Sequence, residues 1–256
     1  MPPLAPTLEL VIARYQEDLR WLKKVPPAIR LTILNKGDSP PLPEGLQIRQ
    51  VDRQGMPLGR RGKICEGPCE GVSVTDLPNV GREAHSYLRH LTDRYDSLAD
   101  VTLFCQGHPF DHAPDFHIRL QSLVSGGEFP DPFLWYGFLE ETDDPLGRRL
   151  FVPWSKNPER RELPTGGLFQ ELFLEKSPEF FHFRGGAQFA VLKSAVLGRS
   201  RAFYRKALEL TEAVPDAAHC FERFWDRVFG APVIDPARLG PDGVNYLKRI
   251  RRLITP

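Results

Sequence analysis

Three stretches of the chain are nearly unbroken apolar runs rather than alternating ones: Leu8–Ala13 (LELVIA), Ile29–Leu34 (IRLTIL) and Val101–Cys105 (VTLFC). Short runs of this kind, rich in β-branched and aromatic residues, predict strands buried on both faces, as in a parallel sheet covered by helices. Between the first two, Leu19, Leu22 and Val25 fall on one side of a helix that Pro26-Pro27 stops, because proline has no N–H to give and constrains the residue before it. The pattern is strand–helix–strand, the βαβ unit.

The periodicity changes at Leu77–His112. Val80, Ala84, Leu88, Leu91 and Tyr95 recur at three- and four-residue spacing, which predicts a helix with one apolar stripe and with Asn79 placed to cap its start. The strand Val101–Cys105 follows, and then a polar loop, Gln106-Gly107-His108-Pro109-Phe110-Asp111-His112. Downstream, Phe116–Val124 predicts a short helix, Phe133–Leu139 a strand, Leu168–Leu174 a helical turn or two, and Gly185–Val191 a strand opened by two glycines. Arg199–Ala213 and a segment from Asp216 to Gly230 predict two more helices, the second with an apolar face of Phe221, Phe224, Trp225 and Val228. Residues 38–76 are rich in Pro and Gly and read as one long loop, and residues 244–256 as a basic tail. The expected fold is a single α/β domain over residues 1–256, with a mostly parallel central sheet flanked by helices.

Composition narrows the functional classes. A formal net charge of +1 gives no global electrostatic case for nucleic acid as a partner. No apolar run reaches the roughly 18 residues of a membrane span, and the first fifteen residues lack a basic leader, so the expected location is cytoplasmic. Cys65 and Cys69 have no second pair beside them and read as loop thiols. The G-x-G-x-x-G and G-x-x-x-x-G-K-[ST] patterns are absent from the first strand–helix–strand unit, so neither phosphate-binding glycine loop is indicated.

Ligands of open α/β sheets bind at the carboxyl ends of the strands, and the candidate site residues come from there. Arg14, Asn35 and Lys36 end the first two strands, Arg82 opens the central helix, and Gln106 ends the third strand. Together they make a substrate pocket able to meet an anion. His108, Asp111 and His112 have the side-chain types of a first-row metal site, and such a site would activate water for hydrolysis. A bland alternative is that the histidines only orient their loop. The Arg60-Arg61-Gly62-Lys63 run reads as solvated loop.

The segments ELVIARYQEDLRWL, LPNVGREAHSYLRHLTDRYDSLADVTLFCQGHPFDH, GGAQFAVLKSAVLGRSRAFY and HCFERFWDRVFG together resemble a bacterial and fungal family of domains of unknown function. The order of elements, and a G-A-Q-F-A-V strand followed by a late acidic helix, is more loosely similar to GT-A-type glycosyltransferases. That similarity implies a nucleotide-sugar donor, an acceptor, a substrate contact at Gln188, and Glu222 as the base that deprotonates the acceptor, with Asp111 as a further catalytic carboxylate. It also implies a divalent cation, Mn or Mg. The Asp-x-Asp of most such enzymes is replaced here by Gln106-Gly107-His108. Either His108, Asp111 and His112 hold the metal, or cations such as Arg14 and Arg82 offset the charge of the leaving diphosphate. The readings carried forward are a glycosyltransferase, a metal-dependent hydrolase, and a non-catalytic ligand-binding protein.

Overall fold

The computed structural model describes residues 5–38, 42, 46, 72–127, 129–137, 139–143, 162–231, 235–241 and 243–246. Its centre is a six-stranded sheet. The three apolar runs form β1 (Leu8–Arg14), β2 (Ile29–Asn35) and β4 (Val101–Gln106), and β3 (Val72–Asp76) lies on the outer edge of β2. These four strands are parallel, in the order β3-β2-β1-β4. Next to β4 come β8 (Phe189–Leu192), antiparallel to it, and β5 (Phe133–Trp135), antiparallel to β8. The sheet is therefore mixed, and the run entered by Gly185-Gly186 supplies the reversed strand.

Burial on both faces explains why the central strands do not alternate. Val11, Ala13, Leu34, Phe104 and Phe189 face one apolar cluster, completed by α1 (Arg82–Asp93), α3 (Thr165–Phe173), α5 (Arg201–Ala213), α6 (Ala217–Glu222) and α7 (Trp225–Val228). Leu10, Ile12, Leu31, Ile33, Leu103 and Cys105 face the other, covered by α2 (Phe116–Val124) and the segment around Leu19 and Leu22. The last short helix, α4 (Lys193–Leu197), follows β8 directly.

Several expectations need correction. The segment after β1 is a single 3-10 turn, Arg20–Lys24, too short to be a crossover helix. Residues 72–76, expected as loop, form β3, an edge strand exposed at its far end. The run Phe133–Leu139 does not make one strand: β5 ends at Trp135, and β6 (Leu139–Asp143) belongs to a second sheet, antiparallel, in the order β7-β6-β9 with β7 (Phe181–Arg184) and β9 (Val244–Tyr246). The helix expected from Asp216 to Gly230 is broken between Glu222 and Trp225. Arg60 to Lys63, Cys65, Cys69 and most of the basic tail lie outside the described residues.

Candidate functional site

In a sheet ordered β3-β2-β1-β4 the strand order reverses between β1 and β4, and the crevice at that switch point is where α/β sheets place ligands. A cavity of about 290 Å³ sits there. Ala13, Arg14, Tyr15 and Glu17 line it from the end of β1, Lys36 from the end of β2, Gln106 from the end of β4, and Asn79, Arg82, Glu83 and Ser86 from the start of α1.

The loops around the cavity are tied by backbone-directed hydrogen bonds. Arg14 is buried, and its guanidinium donates to the carbonyls of Glu17 (3.0 Å), Tyr15 (3.2 Å) and Asp38 (2.6 Å) and to Asn35 Oδ1 (2.6 Å). Asn35 Nδ2 in turn donates to Gly37 O and Asp76 Oδ1, both at 2.8 Å. Arg14 therefore braces the ends of β1 and β2 as well as lining the cavity, and Asn35, expected in the cleft, is wholly committed to that brace. Gly37 is required because a Cβ on it would lie 1.8 Å from the Tyr15 carbonyl oxygen. Lys36 Nζ donates to the carbonyls of Val80 and Arg82, pinning the loop that enters α1. Burial lowers the Lys36 ammonium to about 8, against the opposing pull of Glu83 and Glu212.

The start of α1 is unusual. Gly81, rather than Asn79, occupies the cap position with φ +57°, and Arg82 follows with φ +47°, a left-handed conformation that costs a non-glycine residue of order 1 kcal/mol or more. Asn79 lines the cavity instead of capping. The strained backbone sends Arg82 outward: its side chain is 64% exposed, with Nε 3.7 Å from Glu83 Oε2 and Nη1 3.5 Å from His219 Nε2. Glu83 is only 11% exposed. Burial pushes its carboxyl above the usual range; Arg82 and Lys36 pull it down and Glu222 pushes it further up. Ser86, one turn along, is fully buried; it is among the residues lining the cavity, and its hydroxyl has no hydrogen-bond partner among the described residues. The phenol of Tyr87 is likewise buried and unpartnered. Its proton is held more tightly by burial and by the nearby thiol of Cys105 and the carboxylates Glu83, Glu222 and Glu17.

Of the expected site residues, Arg14, Lys36, Arg82 and Gln106 come together at this cavity. His108 and Asp111 lie outside it, exposed and 3.6 Å apart. His112 packs on Gly186, whose φ is +100° and whose missing Cβ would lie 2.4 Å from His112 Cβ. Among the described residues no three His, Cys, Asp or Glu side chains gather as a metal site, so His108, Asp111 and His112 do not fit a common ion. Their loop is organised by aromatic packing: Trp21 donates to the Gly107 carbonyl at 2.8 Å and meets Phe110 edge-on at 5.6 Å. Gln188 is buried, and neither of its amide atoms has a partner among the described residues. Antiparallel pairing of β4 with β8 puts it on the Cys105 side of the sheet, away from Gln106.

Glu222 ends α6 and accepts from the Gly186 N–H. It neighbours the cavity electrostatically, through Glu83, without being among the residues that line it. Tyr15, Glu17, Glu83 and Ser86 were missed as site residues. Glu83 and Ser86 are readable as polar positions on the first two turns of a helix whose start points at the strand ends. Glu17 and Tyr15 depend on how the chain turns after β1, which periodicity does not encode.

No curated protein and no solved structure matches the chain, and no helix among the described residues is long and apolar enough to cross a membrane. Residues 69–124, which carry β3, α1, β4 and α2 and hence Asn79, Arg82, Glu83, Ser86 and Gln106 of the cavity, match the family model described as "Protein of unknown function (DUF3431)".

Proposed function

We propose that the protein is a GT-A-like glycosyltransferase that takes a sugar from a nucleotide-sugar donor, with the donor's diphosphate held at the Lys36–Arg82 corner of the cavity. One observation carries the reading. At the switch point of the parallel strands, Lys36, Arg82 and the start of α1 share a small cavity with Ser86, a buried serine whose hydroxyl no described residue satisfies. Helix starts and lysine or arginine side chains favour phosphate oxygens, and an orphaned buried hydroxyl is a cost that a polar ligand removes. The half-exposed ring of Tyr15 at the rim is placed to cover a sugar or base.

Sugar transfer needs a proton acceptor for the incoming hydroxyl and positive charge for the departing diphosphate. Lys36 and Arg82 supply the second. The hydrolase alternative has less support, since the histidine loop does not assemble a ligand set among the described residues. The deciding experiment is a thermal-shift screen against nucleoside diphosphates, nucleotide sugars and inorganic phosphate, with and without manganese or magnesium. A bound ligand raises the melting temperature by mass action. The expected result is a rise with one nucleoside diphosphate and its sugars that exceeds the rise with inorganic phosphate. No shift with any of them at millimolar concentration overturns the reading.

A further inference from the structure

We infer that Glu83, the covered carboxylate that lines the cavity, takes the proton from the acceptor hydroxyl in place of Glu222. The inference deepens the nucleotide-sugar reading and rests on it.

Geometry separates the two carboxylates. Glu83 lines the cavity with its side chain almost covered, 3.7 Å from the Arg82 guanidinium. Glu222 is held by the Gly186 N–H, in the turn before β8 that also packs on His112. The groups facing Glu83 are Arg82 and Tyr87 on its own helix, Lys36 from the end of β2, and Glu222 from α6. A base is useful when its affinity for a proton lies near the working pH. Burial and the second carboxylate both move Glu83 in that direction, while Arg82 and Lys36 keep it ionisable.

The step balances. The acceptor O–H bond breaks and its proton passes to a carboxylate oxygen of Glu83. The acceptor oxygen forms its bond to the anomeric carbon. The bond from that carbon to the diphosphate oxygen breaks, and its electron pair leaves with the nucleoside diphosphate beside Lys36 and Arg82. The products are the glycosylated acceptor, the nucleoside diphosphate and protonated Glu83. Water can take the acceptor's place, so slow hydrolysis of the donor reports the same step.

The test uses the full chain as wild type, Glu83→Gln and Glu222→Gln. Binding of the nucleoside diphosphate found in the screen is measured by calorimetry, and its release from the matching nucleotide sugar in water is followed against pH. Glu83→Gln should cut release about 10²-fold or more while diphosphate affinity is kept or improved. Glu222→Gln should move the acid limb of the rate profile to lower pH, because a charge that raises Glu83 has gone. This second variant also serves if Glu83→Gln does not fold. Titration of the Glu83 carboxyl by 13C NMR reads the coupling without turnover: it should lie above the ordinary value of 4.5 in wild type and fall in Glu222→Gln. Normal release by Glu83→Gln with diphosphate still bound, or a carboxyl titrating at its ordinary value whatever stands at position 222, overturns the role of Glu83 and leaves the transferase reading intact. Absence of diphosphate binding to wild type overturns both.

Discussion

Helix α1 carries two buried charged clusters, two turns apart, and they differ in how the buried carboxylate of each is partnered. At the amino-terminal edge of the sheet, Glu9 is 1% exposed and accepts from Arg30 at 2.5 Å and from the Thr32 hydroxyl at 2.7 Å, with His90 of α1 at 3.7 Å. At the carboxyl edge, Glu83 has the Arg82 guanidinium at 3.7 Å and a backbone N–H of its own, and the nearby hydroxyls of Ser86 and Tyr87 have no partner among the described residues. The consequences for proton affinity are opposite. Burial alone raises Glu9, yet His90, Arg30 and Thr32 outweigh it and hold the carboxyl at about 2. For Glu83 burial wins. A buried carboxylate with its own hydrogen bonds made and no cavity beside it belongs to the architecture. One that lines a cavity, and in which burial prevails, is available for chemistry.

The largest effect that tests this contrast is on stability. Glu9→Ala leaves the Arg30 guanidinium without its partner and should cost about 3 kcal/mol, the usual penalty for breaking a buried ion pair by removing one partner. Glu83→Gln removes a carboxylate that the fold desolvates and should leave the denaturant midpoint unchanged or raise it. If Glu83→Gln destabilises as much as Glu9→Ala, the two clusters are of one kind and the division is wrong.

Acid should pull the clusters in opposite directions. Glu9 has a folded-state affinity for protons below its unfolded one, about 2 against 4.5, so its contribution is complete above pH 4.5 and lost as pH falls toward 2. Burial lowers His90 to about 4 from 6.5, with Glu9 opposing and Arg94 and Arg30 adding, so the unfolded chain binds the extra proton and stability already declines below pH 6.5. Glu83 is raised, so it makes the folded state bind the extra proton above pH 4.5, and by itself it favours folding as pH falls through that range. Asp226, which burial raises to about 7, acts in the same direction as Glu83. Over pH 7 to 4, chemical denaturation of Glu83→Gln should show more loss, or less gain, than wild type, since one of these two opposing groups is gone. An unchanged slope would show that Glu83 titrates alike folded and unfolded.

Much of this was legible in the sequence, and the boundary has physical causes. The parallel strands β1, β2 and β4 are readable because burial on both faces leaves an apolar run, and the ends of those runs point to Arg14, Lys36 and Gln106. α1 was readable from its stripe. β3 was hidden because only its first residues are covered, and the β7-β6-β9 sheet because short antiparallel strands leave little pattern. The direction of β8 was not encoded either: Gly185-Gly186 announced a close approach, to His112, but not a reversed strand. The histidine cluster misled for a related reason. Closeness in sequence, His108 to His112, was taken for closeness in space, whereas the turn at Pro109–Asp111 sends His112 toward Gly186 and leaves His108 outside. Asn35 looked like a ligand because it ends a strand, and three hydrogen bonds show it is spent on holding that end.

A smaller effect concerns Arg82, where strain and function coincide. Arg82→Gly relieves a left-handed residue and should raise stability by about 1 kcal/mol. The same change removes the exposed cation at the mouth of the cavity and should weaken diphosphate binding about tenfold. Gain in one and loss in the other is what a strained site residue predicts. If stability falls, the conformation at Arg82 is supported by contacts of its side chain rather than endured for a ligand.

The smallest effect is the sharpest discriminator, because it separates an incomplete cluster from a merely tight one. Ser86 is fully buried, and its hydroxyl meets no described partner, so the folded chain already bears the cost of dehydrating it. Ser86→Ala removes that hydroxyl with little change of volume. With no bond to lose, stability should stay level or rise by a few tenths of a kcal/mol, since an unsatisfied buried polar group is removed. Ligand binding should move the other way. If the hydroxyl donates to a phosphate or sugar oxygen, its loss removes about 1 kcal/mol, or roughly a fivefold rise in the dissociation constant. Ser73 is the control, being buried with an equally unpartnered hydroxyl but placed on β3, away from the residues lining the cavity. Ser73→Ala should share the stability effect and leave binding alone. Equal binding by both variants would mean that the Ser86 hydroxyl is idle, and that the ligand is held from the Lys36–Arg82 side only.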